Sequence, residues 1–181
     1  MQVDNVVLKP EDFSMQATYI EKLIAILSNK DGLKRQNARV LLVKIGRPAI
    51  PYLESMLEIK EYRTRWEAIK AISCIPHPDT IPALLKCLDD ENEDIRWVAA
   101  EGMIELEKYA VKPLLKSILT NYESINFCET AHHILKELVV RKSFIDTTNI
   151  IPMLIDKEME DTQIPLSANA KLAELNKESK S

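Results

Sequence analysis

The sequence predicts an all-α fold, an α-solenoid of about four stacked helix pairs behind an N-terminal capping helix. Three observations predict it. The first is composition: Leu, Ile, Ala, Glu and Lys dominate, and only 3 glycines and 3 phenylalanines occur in 181 residues. Straight-chain residues lose little rotamer freedom in a helix, so this balance favours helices over strands. The second is internal repetition: "RWEAIKAI" and "RWVAAEGM" open 31 residues apart, at Arg65 and Arg96. The third is a matching run of prolines, Pro51, Pro82 and Pro113, at the same interval.

The elements follow in order. "DFSMQATYIEKLIAILSN" predicts a capping helix with an apolar face of Tyr19, Leu23, Ile24 and Leu27, stopped near Gly32. Arg35, Arg65 and Arg96 then align, followed by Ala38, Ala68 and Ala99 and by Leu42, Ile72 and Met103. Steps of three and four put these positions on one helical face. A break follows each time ("GRPA", "PHPD", "EKYA"), and a second apolar run begins around the proline. Proline is tolerated in a helix's first turn, where its missing N–H has no intrahelical partner. A looser fourth unit has Ala131 in the alanine position and Pro152 opening "IPMLIDKEM", with an insertion and a longer first helix. The predicted layout is one repeat domain over 1–160, with a cap at 12–31 and repeats at 32–60, 61–90, 91–121 and 122–160. Residues 161–181 are mostly polar and predict a frayed tail with at most a short helix over Ala170 to Leu175. One such helix pair cannot bury its apolar face alone, and stacked copies can.

The pattern "EDIRWVAAEGMIELEKYAVKPLLKSIL" resembles HEAT repeats, especially the short bacterial type named for phycobilisome lyase subunits. Asp94, Ile95 and Arg96 match the opening of that type's first helix, and Ile81, Pro82, Leu84 and Leu85 match its second-helix motif. The resemblance covers about Gly32 to Asp156. Lys34 replaces the apolar opener in the first unit, and Cys128 replaces the Arg in the last. The resemblance implies a right-handed superhelix, an Arg that pairs with acidic residues between units, and a concave side formed by the second helices. Arrays of this kind serve as adaptors, inhibitors, lyases and chaperones, so fold alone does not select a function.

Several function classes lose support on composition. Net charge is −4, against a general nucleic-acid binder. No apolar run reaches the roughly 18 residues of a membrane span. The opening "MQVDNVVLKPEDF" lacks a basic start followed by an apolar core, and three cysteines are an odd number. We therefore expect a cytoplasmic protein whose Cys74, Cys87 and Cys128 are buried thiols. No Gly-x-Ser-x-Gly, Gly-rich phosphate loop or His-Glu-x-x-His occurs, so the expectation is a protein without catalytic activity and without a cofactor. Cys128 and His132 share a helix face, as do Glu129 and His133, but zinc needs three or four convergent ligands, so no metal is assigned.

What remains is a binding module for a protein or peptide. Positions one, three and four after each proline should face the groove: Tyr52, Glu54 and Ser55; Ala83, Leu85 and Lys86; Leu114, Lys116 and Ser117. Of these, Tyr52, Glu54, Leu85, Lys86, Leu114 and Lys116 are the candidate partner contacts, with Tyr52, Leu85 and Leu114 an apolar floor. Trp66 and Trp97 point away from each repeat's own core and would form an outer ladder, either as packing or as a hot spot. Charge is unevenly placed. Residues 30–70 carry ten basic side chains against five acidic ones, whereas 89–108 carry eight acidic and two basic. Arg35, Arg39, Arg63 and Arg65 are accordingly the alternative, a nucleic-acid contact, and a lyase-like enzyme, suggested only by the resemblance, is a further one.

Overall fold

The computed structural model describes residues 10–156 and 162–178. Among them the chain is helical throughout: α1 (Pro10–Ile26), α2 (Gly32–Ile45), α3 (Ile50–Met56), α4 (Tyr62–Ser73), α5 (Ile81–Cys87), α6 (Glu93–Glu105), α7 (Lys108–Asn121), α8 (Ile125–Val140), α9 (Ile150–Met153) and α10 (Gln163–Glu178). The first helices α2, α4, α6 and α8 lie side by side in one layer. The second helices form the other layer, α3 packing on α4, α5 on α6 and α7 on α8. This is the predicted α-solenoid, with α1 covering α2 and α3.

Each first helix starts the same way. Asp31, Glu61, Asn92 and Ser124 are N-caps whose side chains accept backbone N–H groups two or three residues on. Such a cap satisfies donors that have no intrahelical partner. Four residues after each cap comes the repeat's signature position. Arg35 donates from Nη1 to the carbonyls of Asn29 (2.8 Å) and Lys30 (3.1 Å). Arg65 does the same to Ile59 (3.3 Å) and Lys60 (2.8 Å), and Arg96 to Asp90 (2.8 Å) and Glu91 (3.3 Å). The arginine therefore ties the turn between repeats to the helix that follows it. In the fourth unit Cys128 donates from Sγ to the carbonyl of Tyr122 at 3.1 Å, six residues back, the spacing the arginines use.

The core runs along the whole array. Ala38, Leu42, Leu53, Ala68, Ile72, Leu84, Ala99, Met103, Leu115 and Ala131 are buried, at the positions the repeat predicts. A fully buried Leu or Ile contributes roughly 1.5–3 kcal/mol. Gly102 marks the closest approach: a Cβ there would lie 2.8 Å from Leu84 Cδ2 and 2.9 Å from Ser73 Cβ. Gly46, with φ of 72°, ends α2 in a left-handed turn that a side chain would strain.

Five expectations are corrected. Tyr19 is exposed, and Ile20 takes its place beside Leu23 and Leu27 in the core. Cys74 is exposed, because it caps α4 rather than lying inside it. Ala83, placed in the groove, is buried. Pro113 lies inside α7, not in its first turn. In repeats one and two, Pro48 and Pro78 hold a short 3-10 turn before the helix, and the third repeat has no proline in that turn, so α7 starts early at Lys108. The tail is the largest correction. Residues 163–178 form a 16-residue helix, α10, burying Ile164, Ala168, Lys171 and Leu172. These lie four, three and one apart, the stripe of an amphipathic helix. A fifth first helix would continue the layer beside α8. Instead α10 folds back on α7 and α9 in the second-helix layer. The end of the predicted fourth repeat, at 157–160, lies outside the described residues.

Candidate protein-binding surface

The predicted groove floor is not an apolar stripe. Leu114 is fully buried, at 0% exposure, since α7 is a long helix packed by α10 as well as by α5 and α8. Tyr52 and Leu85 are partly buried and pack against the core. Exposure on this side belongs to polar groups. Lys86 is exposed and ion-paired to Glu58, Lys116 is exposed, and Glu54 is half-buried. Ion pairs of this exposed kind contribute little to stability.

The basic half is also rearranged relative to the expectation of a nucleic-acid contact. Glu67 is only 4% exposed and takes two arginines of the neighbouring repeat. Arg35 Nε reaches its Oε1 at 2.9 Å, and Arg39 pairs with its Oε2. Arg65 is 9% exposed and turns one guanidinium nitrogen toward Asp90 Oδ1 at 3.4 Å. Arg39 also stacks its guanidinium over the Trp66 ring, 5.4 Å from the centroid. Three of the four candidate arginines thus face inward, onto carboxylates, carbonyls or an aromatic ring of this same chain. Arg63 alone of the four is exposed. Sequence reasoning missed Glu67, because a lone Glu on a helix gives no sign of burial.

The two tryptophans part company. Trp66 is partly buried against the core beneath Arg39. Trp97 keeps 55% of its surface exposed and stacks on His133 of α8, centroids 4.9 Å apart and planes 23° off parallel. The expected ladder is therefore Arg39 on Trp66 in one place and Trp97 on His133 in another. His133 sits on α8 as part of its packing against α6, and its Nε2 lies 3.6 Å from Glu101 Oε1, beyond a hydrogen bond. Around Trp97 a cleft of about 250 Å³ opens between α6 and α8, lined by Glu93, Arg96, Ala100, Glu129, Thr130 and His133. Arg96 is tied to the two carbonyls of its turn, whereas Glu93 and Glu129 are exposed.

Burial pushes the Cys87 thiol up to about 12 and raises that of Cys128, so neither is a thiolate near neutral pH. Among the described residues, no group of three or more His, Cys, Asp or Glu gathers as metal ligands. None of the described helices is long and apolar enough to cross a membrane.

Comparison with known proteins agrees with this architecture. The family described as HEAT repeats matches residues 20–104. A chain of the CpcE–CpcF complex of phycocyanin lyase from Nostoc sp. PCC7120 superposes with a TM-score of 0.58 at 19% identity, covering 85% of this chain and 98% of that one. Two engineered proteins align with TM-scores of 0.40 and 0.36 at 16% and 15% identity, covering 83% and 94% of this chain and 76% and 87% of theirs. No curated protein matches the sequence.

Proposed function

We propose that this HEAT-repeat protein is a non-catalytic protein-binding module, an adaptor or scaffold of the bacterial cytoplasm, and that its contact surface is the α6–α8 face around Trp97. The observation that carries the reading is Trp97 itself, a large aromatic that remains 55% exposed although His133 holds it in place. Exposed aromatics in fixed positions are the residues that dominate binding energy at protein interfaces. The structural likeness to one chain of a two-protein complex supports the same class of function. The three cysteines are free, which suits a reducing compartment.

The test is affinity capture from lysate of the native host at low and moderate salt, with nuclease-treated lysate in parallel. A protein partner should be retained at both salts and after nuclease. Trp97→Ala bait should lose it, and Arg63→Ala bait should keep it. Recovery of nucleic acid alone, vanishing with salt as counterion release requires, would overturn the reading. So would capture indifferent to Trp97.

A further inference from the structure

We infer that the Trp97 cleft takes an arginine side chain from a basic segment of the partner. The inference rests on the binding reading above and deepens it by naming the chemistry recognised. Size is the first argument. At about 250 Å³ the cleft lies below the roughly 300–1,000 Å³ of sites for drug-sized molecules, and suits one long side chain. Charge is the second. Glu93 on α6 and Glu129 on α8 stand at the cleft, and among the described residues neither has an ion-pair partner within the chain. The neighbouring acids are already engaged. Asp90 faces Arg65, Asp94 accepts from Tyr62, and Glu101 faces His133. The two open carboxylates therefore stand where a guest would meet them.

The aromatic ring is the third argument. A cation over an indole is drawn by the ring quadrupole, and Trp is the strongest of the aromatic partners. Arginine fits better than lysine. Its planar guanidinium can stack on a ring and also present a fork of N–H donors to a carboxylate. The chain already makes this contact internally, where Arg39 lies over Trp66 and pairs with Glu67. Trp97 and the two carboxylates offer ring and acid again, with no cation of the described residues over the Trp97 ring. Arg96, which also lines the cleft, is tied by Nη1 to the carbonyls of Asp90 and Glu91. One repeat supplies its own arginine, and the other leaves the place for a partner's.

The test uses the full chain with Trp66→Phe, so that Trp97 is the sole indole reporter. The probe is a short capped peptide of alternating glycine and arginine, and its control is the same peptide with citrulline, the neutral isostere. The arginine peptide should shift or quench Trp97 emission saturably. The citrulline peptide should bind about tenfold more weakly or worse, as should Glu93→Gln with Glu129→Gln against the arginine peptide. Calorimetry on Trp97→Ala, whose ring is exposed and outside the core, should show no binding. Equal affinity for both peptides, or none for the arginine peptide, overturns this inference. In either case a protein still captured through Trp97 leaves the binding-module reading standing, whereas capture indifferent to Trp97 removes both.

Discussion

The junction between α2 and α4 and the junction between α6 and α8 are built on the same repeat pattern, yet they are closed by different physics. At the first, Glu67 is enclosed by Arg35 and Arg39, and Arg39 covers Trp66. At the second the arginine position is Cys128, the aromatic contact is Trp97 on His133, and the carboxylates Glu93 and Glu129 point to solvent. Three arginines of the basic stretch, Arg35, Arg39 and Arg65, are thus turned onto carboxylates of the fold, while Lys30, Lys34, Lys44, Lys60 and Arg63 remain exposed. Charge counted along the chain gave the reverse emphasis, because it drew attention to the arginines as a surface. What decides a surface is which charges are left unpaired, and at the cleft around Trp97 those are Glu93 and Glu129.

The largest effect that tests this contrast is on the first junction. Glu67→Ala leaves two guanidinium groups facing each other without their carboxylate. Removing one member of a buried ion pair costs about 3–5 kcal/mol, and the partial exposure of both arginines brings the expected loss to about 3 kcal/mol. Urea unfolding would measure it. A loss under about 0.5 kcal/mol would mean that the pair behaves as an ordinary surface bridge.

The matching change at the last junction should be milder. His133→Ala removes a stacked aromatic contact, a loss of about 1 kcal/mol by the same urea measurement, since such pairs contribute about 0.5–1.5 kcal/mol beyond area burial. It should also weaken binding at Trp97 by freeing the ring. If His133→Ala costs as much as Glu67→Ala, the α6–α8 face is part of the structural core rather than a poised surface.

The fold was legible because it is written in spacing. The alanines, the apolar steps of three and four and the prolines at 31 residues fixed the helix pairs, and the buried positions follow them closely. The misreadings arise where one residue's setting depends on another part of the chain. Leu114 looks like groove lining until α10 folds back over α7, and α10 looks like a tail because its apolar stripe is thin and interrupted by Ser167 and Lys171. Lys171 could not be expected inside, but its ammonium donates to Thr147 Oγ1 at 2.8 Å, pairs with Glu174 at 2.9 Å and lies over Phe144. Trp66 and Trp97 hold equivalent repeat positions, and only their neighbours, Arg39 and His133, separate packing from exposure. Repeat periodicity predicts the equivalence and is silent on what breaks it.

The smallest effect concerns reactivity rather than stability. Cys74 is exposed, whereas burial holds Cys87 protonated up to about 12 and raises Cys128, whose Sγ also donates to the Tyr122 carbonyl. A thiol reagent at pH 8 should therefore modify Cys74 in the native protein, with Cys87 and Cys128 reacting only as the chain opens, because the thiolate is the nucleophile. Cys128 occupies the arginine's position at the last junction, so its rate reports how firmly that junction is closed. Equal rates at Cys128 and Cys74 would show α8 lifting from the array under native conditions. A Cys128 as slow as Cys87 would mean that the acidic, aromatic junction is closed as tightly as the ion-paired one, with its openness confined to the side chains around Trp97.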